Sequence, residues 1–192
     1  LRREETRPIL IDVLNKVLYE TPGRYIQDIE LLNPFNPRES FDDKLSILDI
    51  KARERSGRQF NVELQMIAHA SYPKRIFYYA TKLHQIQLHE GDDYLQLKPT
   101  ISISFVNSEL FPDVDDYHLR FRLLEEKHLF ALTDNIEFHI LQLPKFTKTA
   151  EQLNGESLDI WLYFLRHAEK MDTEAMPAAM QQPLVMRALE DL

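Results

Sequence analysis

Apolar residues recur along this chain with two different spacings, and the spacing changes from one segment to the next. Residues 8–20 and 72–90 carry apolar side chains every three or four positions, which is typical of helices with one buried face. Residues 157–171 carry Trp161 and Phe164 and predict a third helix, and Pro183 opens a fourth. We expect the helix of residues 72–90 to be the longest and to end at Gly91.

Shorter segments predict strands at residues 25–32, 97–106, 121–124 and 137–143. The clearest case is residues 44–65, K-L-S-I-L-D-I-K-A-R-E-R-S-G-R-Q-F-N-V-E-L-Q, where two strands flank a Ser56-Gly57 turn. Asp49 lies seven residues before Ser56 and Glu63 seven residues after it. The simplest hairpin register therefore places the two carboxylates opposite each other.

Side chains alternate between the two faces of a strand, so the hairpin has one polar face. That face carries Asp49, Lys51, Asn61, Glu63 and Gln65. Like charges placed directly opposite destabilise a hairpin, and a divalent cation with hard oxygen ligands removes the repulsion. The alternative from the spacing alone is an exposed, solvated polar face.

Composition fits one domain of ordinary globular type, with 192 residues, 44% apolar and 10% aromatic. No cysteine is present, which excludes disulfides and thiolate metal sites. No apolar run reaches the roughly 20 residues of a membrane helix, and no signal peptide is visible. The first residue is Leu1 rather than Met, so we expect further sequence to precede it.

Charge is distributed unevenly along this acidic chain. The net charge is −8, yet residues 44–90 contain eight Lys or Arg and four Asp or Glu, a local charge of +4. The remaining residues therefore carry −12. The candidate carboxylates lie in the one basic region, where phosphate is the expected binding partner.

Other chemistries have little support in the sequence. It contains no H-E-x-x-H, no G-x-S-x-G, no Walker loop and no G-x-G-x-x-G motif. A glycosidase also uses two carboxylates, but it needs a sugar cleft rich in exposed aromatic residues, which this sequence does not indicate.

The D-(13 residues)-E-x-Q arrangement of the hairpin resembles the PD-(D/E)xK nuclease superfamily, and more narrowly the recombination-promoting nuclease/putative transposase family. Further segments match that family in order along most of the chain. They are residues 10–15 (L-I-D-V-L-N), 61–65 (N-V-E-L-Q), 75–79 (R-I-F-Y-Y), 91–103, 143–146 (L-P-K-F) and 161–164 (W-L-Y-F).

The resemblance implies an α/β fold with a restriction-endonuclease-like core, a mixed central β-sheet flanked by helices. It implies a nuclease domain over residues 1–170 and a C-terminal helical extension over 171–192. The implied activity is Mg²⁺-dependent cleavage of DNA, with Mn²⁺ as a substitute, in bacterial recombination or transposition. We expect a cytoplasmic protein that binds DNA and no membrane, and a homodimer is left open.

The implied site consists of metal ligands, catalytic residues and DNA contacts. Asp49 and Glu63 would hold the cation, with the Leu64 carbonyl completing its shell. Gln65 stands where the superfamily usually has Lys, and it could orient the attacking water. Alternation along the strand, rather than the resemblance, suggests that Lys51 on the same face could supply the missing charge. The expected DNA contacts are Arg53, Arg58, Lys74, Arg75 and Tyr79, and for Arg75 packing beside a core tyrosine is the open alternative. An acid on the first helix, Asp12 or Glu20, is a further ligand candidate.

Gln65 in place of Lys also supports a different class of function. A glutamine cannot act as a base or carry charge. A catalytically inactive module that binds nucleic acid or protein on a nuclease fold therefore stays open as the alternative.

Overall fold

The computed structural model describes residues 3–18, 25–32, 46–155, 157–168, 171 and 176–190. Within these residues six strands form a single sheet in the order β1-β2-β3-β4-β6-β5. The strands are β1 (Ile29–Leu32), β2 (Ser46–Glu54), β3 (Gln59–Gln65), β4 (Thr100–Val106), β5 (His118–Arg122) and β6 (Ile136–Gln142). The helices are α1 (Arg3–Val17), α2 (Tyr72–Gln85), α3 (Asp159–His167) and α4 (Pro183–Glu190).

The sheet is mixed, because hairpins and crossovers both contribute to it. β2 pairs with β3 and β5 pairs with β6 in antiparallel fashion, whereas β3, β4 and β6 run parallel. Parallel neighbours need a long connection, and α2 provides it between β3 and β4. The predicted α/β class with a mixed sheet is confirmed.

The sheet face that α2 covers has an apolar part and a neighbouring polar part. α2 packs on the apolar part. Tyr72, Ile76 and Ala80 of α2 form a buried cluster with Val106, Phe138 and Ile140 of β4 and β6. On the same face, β3 contributes the polar residues Asn61, Glu63 and Gln65. The first turn of α2 therefore lies where the apolar and polar parts of the face meet.

The chain divides into two compact units, residues 30–145 and residues 1–29 with 146–192. The first unit contains nearly all of the sheet together with α2. In the second, α1 buries Leu10, Leu14 and Val17. Asp12 there accepts a hydrogen bond from Trp161 Nε1 at 2.6 Å and pairs with Lys16. The boundary predicted at residue 170 stays a prediction.

Several element boundaries differ from the predictions for identifiable reasons. α1 begins at Arg3 and continues through Pro8, which cannot donate the helical hydrogen bond that the Glu4 carbonyl would accept. Residues 25–28 are not strand, since Asn15 bonds both the backbone N–H and the carbonyl of Ile26, at 2.8 and 3.0 Å.

Three further predicted elements are shifted or shortened. α2 ends at Gln85 and has 14 residues, so it is shorter than α1 with 15 and the prediction that it is the longest helix is wrong. Gly91 belongs to a separate turn in which Asp92 N–H bonds the carbonyl of His89. The strand predicted at 121–124 is β5, which begins three residues earlier at His118, and Leu124 forms only an isolated bridge with Ala131. The helix predicted at 157–171 spans Asp159–His167. Glu20, one of the two acids predicted as further ligands, lies outside the described residues.

No helix in the described part of the chain is long and apolar enough to cross a membrane.

Candidate active site

Asp49 and Glu63 face each other across the β2–β3 hairpin. They are paired residues of the antiparallel register, which confirms the predicted alignment about Ser56. Their environments differ, because Asp49 is exposed whereas Glu63 is only 6% exposed. The site therefore has one carboxylate at the surface and one beneath it.

The loop of this hairpin explains why the register is well defined. Glu54 and Arg58 close it, with Gly57 N–H bonding the carbonyl of Glu54 and Glu54 N–H bonding that of Arg58, each at 2.9 Å. Gly57 has φ +94°, a conformation that L side chains rarely adopt. This is a three-residue loop with glycine at its left-handed position, a common hairpin type.

A bulge in β2 lies beside the carboxylate pair and was not predicted. Leu48 pairs with Leu64, but the next pair is Ser46 with Gln65, so residue 47 has no opposite partner in the register. Bulges bend the strand that carries them and are frequent next to active sites. Here the bulge changes the neighbour of Gln65 from residue 47 to Ser46.

Arg75, in the first turn of α2, contacts the buried carboxylate directly. Its Nη2 forms an ion pair with Glu63 Oε1 and also donates to Gln65 Oε1 at 2.9 Å. Its guanidinium carbon lies 4.8 Å from the centre of the Tyr72 ring, which is within cation–π range. The structure thus places a fixed positive charge between Glu63 and Gln65.

The amide of Gln65 is used at both ends within the chain. Its oxygen accepts from Arg75, and its nitrogen donates to the backbone carbonyl of Ile67 at 2.8 Å. A guanidinium only donates and a carbonyl only accepts, so these partners determine the amide orientation. In this arrangement Gln65 orients Arg75.

Tyr72 and Lys51 also lie near the Asp49–Glu63 pair. Burial, followed by the negative charge of Glu63, raises the pKa of Tyr72 well above its usual value. Lys51 is 8% exposed and is paired with Asn61, two residues along the hairpin from the Asp49–Glu63 pair. Lys51 and Gln65 therefore lie on opposite sides of that pair.

A family model described as a PD-(D/E)XK nuclease family transposase matches residues 1–192. The chain belongs to this family. Searches of curated proteins and of solved structures returned no match. The mixed six-stranded sheet and the helices are consistent with the restriction-endonuclease-like fold of PD-(D/E)XK nucleases, which confirms the predicted fold.

PD-(D/E)XK nucleases generally use divalent metal ions, and the oxygen atoms of this site suit one. Two opposed carboxylates form a hard donor set of the kind that Mg²⁺ prefers. The described residues contain no cluster of three or more His, Cys, Asp or Glu able to hold a metal. Any ion here would depend on Asp49 and Glu63, supplemented by a backbone oxygen, water or substrate.

The residues predicted to contact DNA occupy different environments in this PD-(D/E)XK domain. Lys74 is exposed, next to Arg75 in α2, and Tyr79 is half-buried. Arg53 pairs with Glu30 at 2.7 Å and Arg58 pairs with Glu54 at 2.6 Å, so both carry carboxylate partners. Arg75, the fifth of the predicted contacts, pairs with Glu63 as described above.

Sequence reasoning missed the contact between Arg75 and Glu63. The sequence predicts a DNA contact for Arg75 and a metal-ligand role for Glu63, with no link between the two. The sequence contained a signal for this contact. A strand glutamate that is covered by a helix needs a cation beside it, and that helix carries Arg75 next to the apolar Ile76. Asp12, one of the two acids predicted as a further ligand, is engaged with Trp161 and Lys16.

Proposed function

We propose that this protein is a nuclease that hydrolyses phosphodiester bonds of DNA with the help of a divalent cation, Mg²⁺ with Mn²⁺ as a substitute. Family membership supports the nuclease class. The observation that carries the proposal is the Asp49–Glu63 pair, held opposite each other on a face that already stabilises a positive charge beside Glu63. The setting we propose, from the transposase description of the family, is recombination or transposition in the bacterial cytoplasm.

Asp49 and Glu63 would hold the cation, and the Leu64 carbonyl is the proposed third ligand. When bound, the cation would lower the pKa of a coordinated water and neutralise charge on the scissile phosphate. Asp49 is exposed and meets the incoming substrate, whereas the buried Glu63 provides a carboxylate shielded from bulk water. Lys51 and Arg75 supply positive charge on either side of the pair, where substrate phosphates would approach.

The test replaces each carboxylate by its amide of the same shape. Asp49→Asn and Glu63→Gln should each reduce nicking of plasmid DNA in Mg²⁺ by orders of magnitude, because each removes a charged oxygen ligand. Glu54→Gln is the matched control, since Glu54 is a carboxylate of the same hairpin that pairs with Arg58 in the loop. That control should nick DNA like the wild-type protein.

Equal nicking by the wild type and both site variants would point to a contaminating nuclease. Absence of nicking with either Mg²⁺ or Mn²⁺ would favour the second candidate function, an inactive interaction module. One observation favours that candidate: Arg75 engages both Glu63 and Gln65 from within the chain.

A further inference from the structure

Glu63 is the least accessible carboxylate of the site, and its charge is balanced from within the chain. Its side chain is 8% exposed and that of its ion-pair partner Arg75 is 24% exposed. An ionised carboxylate in such a place is costly unless a cation lies beside it. Arg75 therefore occupies the carboxylate that a divalent cation would use.

Arg75 is held by more than this ion pair. Gln65 accepts a hydrogen bond from the same Nη2 atom, and the Tyr72 ring lies under the guanidinium. The Gln65 amide is itself oriented by its bond to the Ile67 carbonyl. If the carboxylate were taken by another cation, Gln65 and Tyr72 would still keep Arg75 in place.

Lys51 contributes its charge at a different place in the site. Lys51 lies opposite Asn61, on the other side of the Asp49–Glu63 pair from Gln65. Arg75 donates hydrogen bonds to both Glu63 and Gln65.

Building on the proposed function, we propose that Arg75 is the internal counter-ion of Glu63 and the phosphate-binding cation of this site. Its guanidinium balances Glu63 until a divalent cation takes the carboxylate, and then remains beside Gln65 to bind an oxygen of the substrate phosphate. Arg75 is thus a catalytic residue that competes with the metal before it acts on the substrate.

The first test measures metal binding and needs no cleavage. Mg²⁺ is titrated calorimetrically into the full chain as wild type, Arg75→Met and Arg75→Gln. Both variants should bind Mg²⁺ roughly tenfold more tightly, because the competing charge is gone. Mg²⁺ should also raise their melting temperatures by more than it raises that of the wild type.

Lys74→Met is the matched control, since it removes an exposed cation from the adjacent position of the same helix. Its affinity for Mg²⁺ should equal that of the wild type. Arg75→Gln retains hydrogen-bonding capacity toward Glu63 and Gln65, so it covers the case in which Arg75→Met does not fold. Unchanged or weaker Mg²⁺ binding by a folded Arg75 variant would overturn the counter-ion role.

The second test moves the positive charge from Arg75 on α2 to position 65 on β3. Arg75→Met should lower kcat for DNA nicking by about 100-fold, as expected for loss of an electrostatic contact to the reacting group. Adding Gln65→Lys to Arg75→Met should restore most of that loss, because lysine at position 65 puts a cation in the same place. A folded, metal-binding double variant that stays as slow as Arg75→Met would refute the phosphate-binding role.

The two tests separate this inference from the proposed function. If the wild type binds Mg²⁺ but cleaves no DNA, the nuclease assignment fails while the titration still decides whether Arg75 competes for Glu63. If Gln65→Lys rescues Lys51→Met instead of Arg75→Met, Lys51 supplies the charge and the proposal for Arg75 is wrong.

Discussion

At the scale of single residues, this protein contains a second network of charged groups, on β5 and β6. His118 Nε2 lies 2.8 Å from His139 Nδ1, and His139 Nε2 lies 2.6 Å from Glu137 Oε1. Burial and then the nearby His139 and Arg120 lower the pKa of His118 to about 4. Burial opposes ionisation of Glu137, but hydrogen bonds from His139 and Arg120 outweigh it and lower its pKa to about 2.

We therefore predict that stability falls as the pH is lowered from about 6.5 towards 4. An unfolded chain protonates His118 near pH 6.5, whereas the folded chain resists protonation until about pH 4, so the unfolded state binds more protons in this window. At pH 5 the linkage amounts to about 2 kcal/mol, which partial exposure of His118 reduces to about 1 kcal/mol.

The measurement is urea unfolding of the wild type and His118→Gln at pH 7.5 and pH 5. The stability lost between these two values should be about 1 kcal/mol smaller in the variant. Glu137 does not interfere, because its pKa of about 2 restricts its own contribution to pH values below about 4.5. Equal losses in both proteins would show that His118 is not the responsible group.

At the scale of secondary-structure elements, the β2–β3 hairpin sets the alignment of the candidate ligands. Its register depends on the loop at Gly57, because a shift of one residue would turn Glu63 to the opposite face. Gly57 and Gly91 have nearly the same backbone conformation, with φ of +94° and +91°. They differ in surroundings: a Cβ at Gly57 would lie 2.7 Å from Lys98 Cγ, whereas one at Gly91 would meet nothing within 4 Å.

This pair of glycines allows the backbone and contact effects to be measured separately. Gly91→Ala should lower the free energy of unfolding by roughly 1 kcal/mol, the usual cost of a left-handed conformation for an L residue. Gly57→Ala should cost more, because it adds the contact with Lys98 to the same backbone effect. Chemical denaturation of both variants tests this, and an equal loss would mean that Lys98 moves aside freely.

At the scale of the whole molecule, an acidic chain concentrates positive charge around its candidate site. Residues 44–90 carry a local charge of +4 in a chain of net charge −8. Several of these cations already have carboxylate partners, including Arg53, Arg58 and Arg75. Exposed Lys74 is adjacent to Arg75 and suits a phosphate contact better than Arg58 does.

DNA binding should weaken as salt concentration rises, since each phosphate contact releases counter-ions from DNA. Lys74→Ala should reduce the slope of log affinity against log salt concentration by roughly 1. Arg58→Ala should change it less, because Glu54 already holds that guanidinium. Fluorescence anisotropy with labelled duplex DNA at several salt concentrations gives both slopes. A larger change for Arg58→Ala would place the DNA path over the hairpin loop instead of α2.

The sequence by itself determined the features that depend on near neighbours along the chain. Alternation along the two strands and the turn at Ser56-Gly57 were sufficient to predict that Asp49 faces Glu63, because the loop and the polar pattern select the same register. The ordered motifs identified the family, and the helix and strand pattern indicated the mixed α/β class. Element ends were predicted less well, as the Asn15–Ile26 bonds illustrate.

Only the tertiary structure decided which cation meets Glu63 and how buried each carboxylate is. The number of residues between Glu63 and Arg75 along the chain is compatible with many distances between their side chains. The crossover through α2 fixes one distance, because Tyr72 and Ile76 pack on the sheet. The bulge at residue 47 likewise reflects pairing between strands and has no local sequence signal. Burial arises from packing between elements, so whether a charge is solvated or needs a partner becomes visible only after the chain has folded.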